Sequence, residues 1–141
     1  MAGGGGEESA KDVGLLFVRV IVGFSMAAFH GWGKISGGPE LWKQIGGAMG
    51  NFGVHAYPVF WGFMSGFAEF GCSCLMALGV FFRPATLILA INMAVAVGSH
   101  LAMPPGQHAG WNGASHALEL FSVYVALLLV GPGKFALKKR R

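Results

Sequence analysis

The sequence contains little charge. Only 11% of its 141 residues are Asp, Glu, Lys or Arg, whereas a soluble domain carries about 25%. More than half of these charges lie in the first twelve and the last eight residues. The chain between them has too few charges to cover a surface that faces water. This shortage excludes a water-soluble globular domain, and with 54% hydrophobic residues the composition indicates an integral membrane protein.

Motifs of soluble enzymes are also missing. The glycine clusters lack the strand–turn–helix context and the Lys-Ser/Thr ending of a nucleotide-binding loop. The single aspartate, Asp12, lies in the N-terminal lead, which leaves no Ser/His/Asp hydrolase pattern. Basic residues collect in the tail KFALKKRR, a pattern typical of a cytoplasmic membrane flank. We therefore expect no nucleic-acid partner.

Four apolar runs are long enough to cross the hydrocarbon core of a bilayer. They cover residues 13–32, 58–82, 84–103 and 115–130. Between the first two, the stretch PELWKQIGGAM favours a short amphipathic helix in the membrane interface. We predict an all-α, integral membrane four-helix bundle over residues 13–133. A disordered lead at residues 1–12 precedes it, and a basic tail at residues 134–141 follows it.

The positions of Lys and Arg predict the orientation of the bundle. With four spans, seven basic residues near helix ends fall on one side of the membrane, and only Lys34 and Lys43 fall on the other. Basic flanks stay in the cytoplasm. The sequence therefore predicts a multi-pass protein of the inner (plasma) membrane with both termini cytoplasmic.

Histidines gather at the opposite predicted face. His30 and His100 end the first and third spans there, and His116 begins the fourth span. We expect these three to converge, where imidazoles would ligate a metal, relay protons or hydrogen-bond a quinone head. The alternative is a set of interfacial polar residues with no ligand, since side chains with an apolar body and a polar tip favour that boundary.

Three charged residues lie inside the apolar runs, where a charge is costly and usually faces the bundle interior. Counting about 1.5 Å per residue puts Glu69 and Glu119 about 18 to 20 Å from the cytoplasmic side. Two facing carboxylates at one level would share a proton. The same count groups Arg19 with Asn92 and Tyr124 in one polar layer. We predict catalytic roles for both glutamates and Arg19, with a structural hydrogen-bonding lock as the alternative for Arg19.

Three stretches carry a family resemblance: LLFVRVIVGFSMAAFHGWGKI, GFAEFGCSCLMALGVFFRPATLILAINMAVAV and HALELFSVYVALLLVGPGKFAL. In this order and spacing they resemble the DoxX family of small four-helix membrane proteins, over residues 13–137. The resemblance implies a redox setting, because DoxX is associated with thiosulfate:quinone oxidoreduction and other members with redox-stress complexes of the envelope. It marks as family-type polar positions Arg19, His30, Lys34, Glu69 and Glu119.

The sequence and the resemblance together predict a small membrane subunit of a redox-linked envelope complex, at most the membrane component of an oxidoreductase. Its cofactor would be a quinone or a His-bound metal. The predicted cofactor-binding residues are His30, Trp32 and Lys34, and the predicted metal ligands are His30, His100 and His116.

Two other function classes stay open. In the first, the chain is a non-catalytic structural or assembly subunit of a larger membrane complex. In the second, it is a small transporter with Glu69 and Glu119 along the path of the substrate. Expected partners are the lipid bilayer and either other subunits or a second copy. Gly62 and Gly66, in GxxxG spacing, indicate close helix packing within the bundle or across a dimer.

Overall fold

The computed structural model describes residues 4–106 and 108–137, and within them no strand occurs. In these ranges we number five helices: α1 Gly4–Ile35, α2 Gly38–Gly46, α3 Pro58–Leu78, α4 Phe82–Ala102 and α5 Gly110–Val130. All except α2 are long and apolar enough to cross a membrane. The predicted all-α four-span bundle is confirmed, and α2 with the 3-10 stretch Gly47–Phe52 is the predicted short helix.

Helix α1 begins earlier than predicted. It includes residues 4–12, for which the sequence analysis predicts disorder. Glu7 complements the positive end of the helix dipole, and Lys11 lies one turn after it, so the pair supports the helix. The helix forms there although its first three residues are glycines. Residues 1–3 and 138–141, the rest of the predicted lead and most of the predicted tail, lie outside the described residues.

Two π-helical stretches face each other where α1 and α3 cross. They are Met26–Gly31 in α1 and Ala68–Cys72 in α3. Gly31 makes the close approach possible, because a Cβ at this position would overlap the backbone of Glu69 and Phe70. Single π turns inside α-helices occur frequently at functional sites, and this crossing lies next to the polar residues described below.

The two GxxxG glycines pack inside the chain. A Cβ on Gly62 would overlap the backbone of Trp42 in α2, and Gly66 lies against Ile35 at the end of α1. The small residues therefore let α2 and the end of α1 approach α3, which is the reason such spacing is common in membrane bundles. Of the two interpretations of this motif, the structure supports packing within the bundle.

Arg19 anchors the segment that follows α5. Its side chain is only 2% exposed, and its guanidinium donates to the carbonyl oxygen of Pro132 at 2.5 Å and to that of Phe135. Nearby, the backbone N–H of Lys134 donates to the Asp12 carboxylate at 3.0 Å. The start of α1 and the segment after α5 thus meet at one end of the bundle, as an even number of spans requires.

Replacing Arg19 by Met removes the donor for two backbone carbonyl oxygens. A hydrogen bond to a charged group contributes roughly 1.5 to 3 kcal/mol, so we expect the free energy of unfolding in detergent to fall by about 3 kcal/mol. Trypsin should also cut faster after Lys134. The control is Arg83→Met, which changes an exposed arginine at the same end. Equal effects of the two substitutions would contradict the anchoring role.

Candidate functional site

Glu69 lies at the centre of a polar cluster inside the bundle. Its residue surface is 4% exposed, and its Oε1 accepts from Lys34 Nζ at 2.6 Å and from Asn92 Nδ2 at 2.9 Å. Lys34 lies in the last turn of α1 and Asn92 in the middle of α4. A buried charge is costly unless it is paired and hydrogen-bonded, so one carboxylate oxygen holds three spans together.

The end of α1 is fixed by α2, and this positions Lys34. Trp42 Nε1 donates to the carbonyl oxygen of Lys34 at 2.7 Å, and the Trp42 ring packs edge-on against Phe63 of α3, with 5.1 Å between centroids. The lysine backbone is therefore held from outside the cluster while its ammonium group reaches inward. Helix α2 acts as a brace for the ion pair.

The second oxygen of the carboxylate is buried without a partner. Among the described residues, no group donates a hydrogen bond to Glu69 Oε2. Ser73 follows Glu69 by one helical turn, and the Tyr124 hydroxyl lies beside Ser73 and within electrostatic reach of Glu69. Unpartnered buried polar atoms are rare, and here the hydroxyls of Ser73 and Tyr124 lie near the unpartnered oxygen.

An apolar cavity of about 500 Å³ adjoins this cluster. Lys34, Glu69 and Asn92 all form part of its wall. The rest is mainly apolar, with contributions from Trp61, Met64, Ile88, Val95, Ala96 and Met103, and with Ser99 and His100 as further polar residues. Its volume lies within the range of about 300 to 1,000 Å³ that is usual for small-molecule sites.

The cavity reaches the outer surface of the bundle. Phe60 of α3 and Ile91 of α4 belong to its wall, yet they are 52% and 56% exposed. Since these faces of α3 and α4 point toward lipid in a membrane bundle, a lipid-soluble molecule can enter from the side. The arrangement suits a ligand with an apolar body and a polar head that meets Glu69.

The structure brings together two of the three predicted metal ligands. The rings of His30 and His116 are 5.8 Å apart between centroids, whereas the His100 Nδ1 faces the carbonyl oxygen of His108 at 2.7 Å. Within residues 4–106 and 108–137, no group of three or more His, Cys, Asp or Glu side chains is placed to hold a metal ion. His30, His100 and His116 therefore do not form the expected three-ligand group.

The other predicted site residues lie in different parts of the structure. Trp32 is exposed and packs on the ring of Phe70, while Lys34 forms the ion pair with Glu69. Glu119 is exposed on the outside of α5, so it does not face the buried Glu69. Arg19 donates hydrogen bonds to the segment after α5. This contact corresponds to the structural hydrogen-bonding lock, which is the predicted alternative to a catalytic role.

Asn92 joins the cluster although the residue count did not predict it, because extending the second span to Phe82 places Glu69 too far from the level of Asn92. The helix ends at Leu78, where Gly79 adopts a left-handed conformation with φ +72°. Counted from the observed helix ends, Glu69 lies about 14 Å and Asn92 about 15 Å from the same end of the bundle. The predicted layer of Arg19, Asn92 and Tyr124 is therefore wrong, and the glycine at the helix end was the signal that could have corrected it.

The Lys34–Glu69 pair should show strong energetic coupling. In a double-mutant cycle with Lys34→Met and Glu69→Gln, we expect a coupling free energy of about 1 to 3 kcal/mol, because Glu69 is buried while Lys34 is partly exposed. The matched control is the exposed Lys134–Asp12 pair at 3.6 Å, for which we expect less than about 1 kcal/mol. Unfolding in mild detergent measures both, and equal coupling in the two cycles would refute the central role of Glu69.

Comparison with known proteins identifies the family. The DoxX family model matches residues 14–102, which include α1 from its third turn on, α2, α3 and the whole of α4. No curated protein and no solved structure matches the chain. The matched region contains the complete Lys34–Glu69–Asn92 cluster and most of the cavity wall. Because the match covers more than half of the chain, this protein belongs to the DoxX family.

Proposed function

We propose that this DoxX protein is the quinol-binding membrane subunit of a redox-linked envelope complex. The observation that carries the proposal is a buried glutamate on the wall of an apolar cavity, with a second carboxylate oxygen that has no hydrogen-bond partner. A quinol joins a flat apolar ring to hydroxyl donors, and its tail is soluble in lipid. These are the properties that the cavity and its side opening select.

The hydrogen-bond donors and acceptors favour the reduced form of the ligand. Lys34 and Asn92 each direct one N–H donor to Glu69 Oε1, and the acceptor without a partner is Oε2. A quinol hydroxyl can donate to it, whereas a quinone carbonyl offers only another acceptor. We therefore assign the head group to Glu69, with its tail leaving between Phe60 and Ile91.

A bound quinol would supply two electrons and two protons when an electron acceptor in another subunit of the complex oxidises it. The residues of this chain take up one of the two protons, and the other leaves from the second hydroxyl. Lys34 forms an ion pair with the carboxylate, Asn92 fixes its orientation, and Oε2 would accept a proton from a hydroxyl that reaches it. The Lys34 side chain is 31% exposed, so it connects the buried carboxylate with the surface of the bundle.

A metal fits this chain less well than a quinol. His30 and His116 make one imidazole pair, and the described residues provide no third ligand beside them. For this reason we assign no metal-dependent step to this chain.

Quinol binding can be tested with two phenylalanine substitutions on α4. Ala96 belongs to the cavity wall, so Ala96→Phe should fill the cavity and weaken binding of a short-chain ubiquinol by at least about tenfold. Ala94, two residues away, is exposed on the outer side of α4, and Ala94→Phe should leave binding unchanged. Quenching of tryptophan fluorescence in detergent reports binding, since Trp61 forms part of the wall. Equal effects of the two variants would exclude this cavity as the site.

Glu69→Gln gives a sharper test of the head group's orientation. The amide presents an N–H where the carboxylate presents an acceptor, so affinity for the quinol should fall roughly tenfold. Affinity for the oxidised quinone should stay the same or rise. A variant that loses affinity for both forms to the same extent would contradict direct contact between Glu69 and the hydroxyl.

We also propose that both termini are cytoplasmic in the inner membrane. The start of α1 and the end of α5 lie at one end of the bundle, and the chain has seven basic residues near its helix ends on that side against two on the other. A fluorescent protein fused after residue 141 should fluoresce, whereas a periplasmic phosphatase at the same position should stay inactive. The reverse pattern would invert the orientation.

A further inference from the structure

Helix α5 differs from the other spans in what it presents to the outside. The outward residues of α1 include Phe17, Ile21 and Phe24, those of α3 include Phe60, Phe63 and Phe67, and those of α4 include Leu87, Ile91 and Leu101. On α5 the exposed residues include Asn112, Ser115, Glu119, Ser122 and Ala126. Other exposed residues of α5 are apolar, namely Trp111, Leu118, Leu129 and Val130, so a stripe of small and polar residues runs along a span whose outer surface otherwise suits lipid tails.

These five residues of α5, here called the polar line, repeat with alternating steps of three and four. That spacing keeps them on one side of a helix and is the spacing of a parallel helix pair. The opposite side of α5 packs on the bundle through Ala114, Ala117, Tyr124 and Leu127. The polar line is therefore a second packing face, with small and hydrogen-bonding residues of the kind that join helices in membranes.

Of these five residues, Glu119 most needs an interaction partner. It lies one residue from the midpoint of α5, where ionisable side chains usually face protein and not lipid. Within the part of the chain that the structure describes, its carboxylate makes no hydrogen bond or ion pair, although its backbone carbonyl accepts from Ser122. Glu119 is thus exposed near the middle of a helix that is long and apolar enough to cross a membrane.

The same face also supplies donors that match this carboxylate. His116 precedes Glu119 by one helical turn, is exposed, and is flanked by His30 of α1 at 5.8 Å between ring centroids. Asn112 adds an amide donor, whereas the Ser115 and Ser122 hydroxyls already donate within α5, to the carbonyl oxygens of Asn112 and Glu119. Acceptor and donors side by side form a self-complementary patch, which is what a two-fold interface between identical chains requires.

We propose that α5 pairs with α5 of a second copy of this chain through the polar line. A two-fold axis along the membrane normal brings like residues to the same level. One Glu119 carboxyl, protonated, donates to the carboxylate of its mate, and His116 lies within one turn as a further donor. This pairing removes Glu119 from lipid and does not depend on the proposed quinol site.

Cysteine cross-linking in membranes tests the pairing. In a Cys72→Ala, Cys74→Ala background, Ser115→Cys and Ser122→Cys should each form a disulfide-linked dimer when an oxidant is added. Ala94→Cys is the matched control, because it is exposed near the midpoint of α4 and should not cross-link. Equal cross-linking at Ser115, Ser122 and Ala94 would overturn the proposal.

The second measurement is the dimer fraction of the pure full-length chain in liposomes, determined by energy transfer as the protein-to-lipid ratio is varied. Glu119→Leu should raise the dissociation constant at least tenfold, and Glu119→Gln, which keeps a donor and an acceptor, should raise it less. A monomeric wild-type chain at every ratio would overturn the proposal, as would cross-linking of Ser115→Cys to a different membrane protein only. Ala94→Leu, tested in parallel, should leave the dimer fraction unchanged.

Discussion

The fold depends most on the hydrogen bonds at Glu69 Oε1. One oxygen accepts from the ammonium of Lys34 and the amide of Asn92, so α1, α3 and α4 share a single buried acceptor. A buried charge costs stability when it is unpaired, and for this reason all three helices must keep their relative positions. The π-helical crossing, the glycine contacts and the brace by Trp42 each serve that geometry.

The cavity follows from the same arrangement. Helix α2 and the end of α1 cover one end of α3, and α4 packs closely on α5, so space remains between α3 and α4. Its apolar wall ends at a carboxylate with one satisfied and one free oxygen. The stability of the fold requires only the hydrogen bonds to Glu69 Oε1. The free oxygen costs stability, and binding of a ligand that carries a hydroxyl group would offset that cost, which is how structure and proposed function are connected.

Much of the architecture could be predicted from the sequence, because length and hydropathy determine membrane spans. The amphipathic α2 and the lock at Arg19 were also within reach of residue patterns. Asn92 was not, since the left-handed glycine at the end of α3 shifts the depth count by about a turn. The sequence also could not predict that Glu69 is buried while Glu119 is exposed. Packing sets the rotation of each helix, and two glutamates in apolar runs look alike in sequence.

The central claim is that the Glu69 carboxylate meets the ligand directly. Infrared difference spectroscopy of the reconstituted protein, recorded with and without quinol, observes carboxyl groups one by one through a Glu69→Gln comparison. The account predicts a carboxyl band that changes when quinol binds to the wild-type chain and is absent from the difference spectrum of the variant. Identical difference spectra for the two proteins, with quinol bound to both, would show that Glu69 has only a structural role.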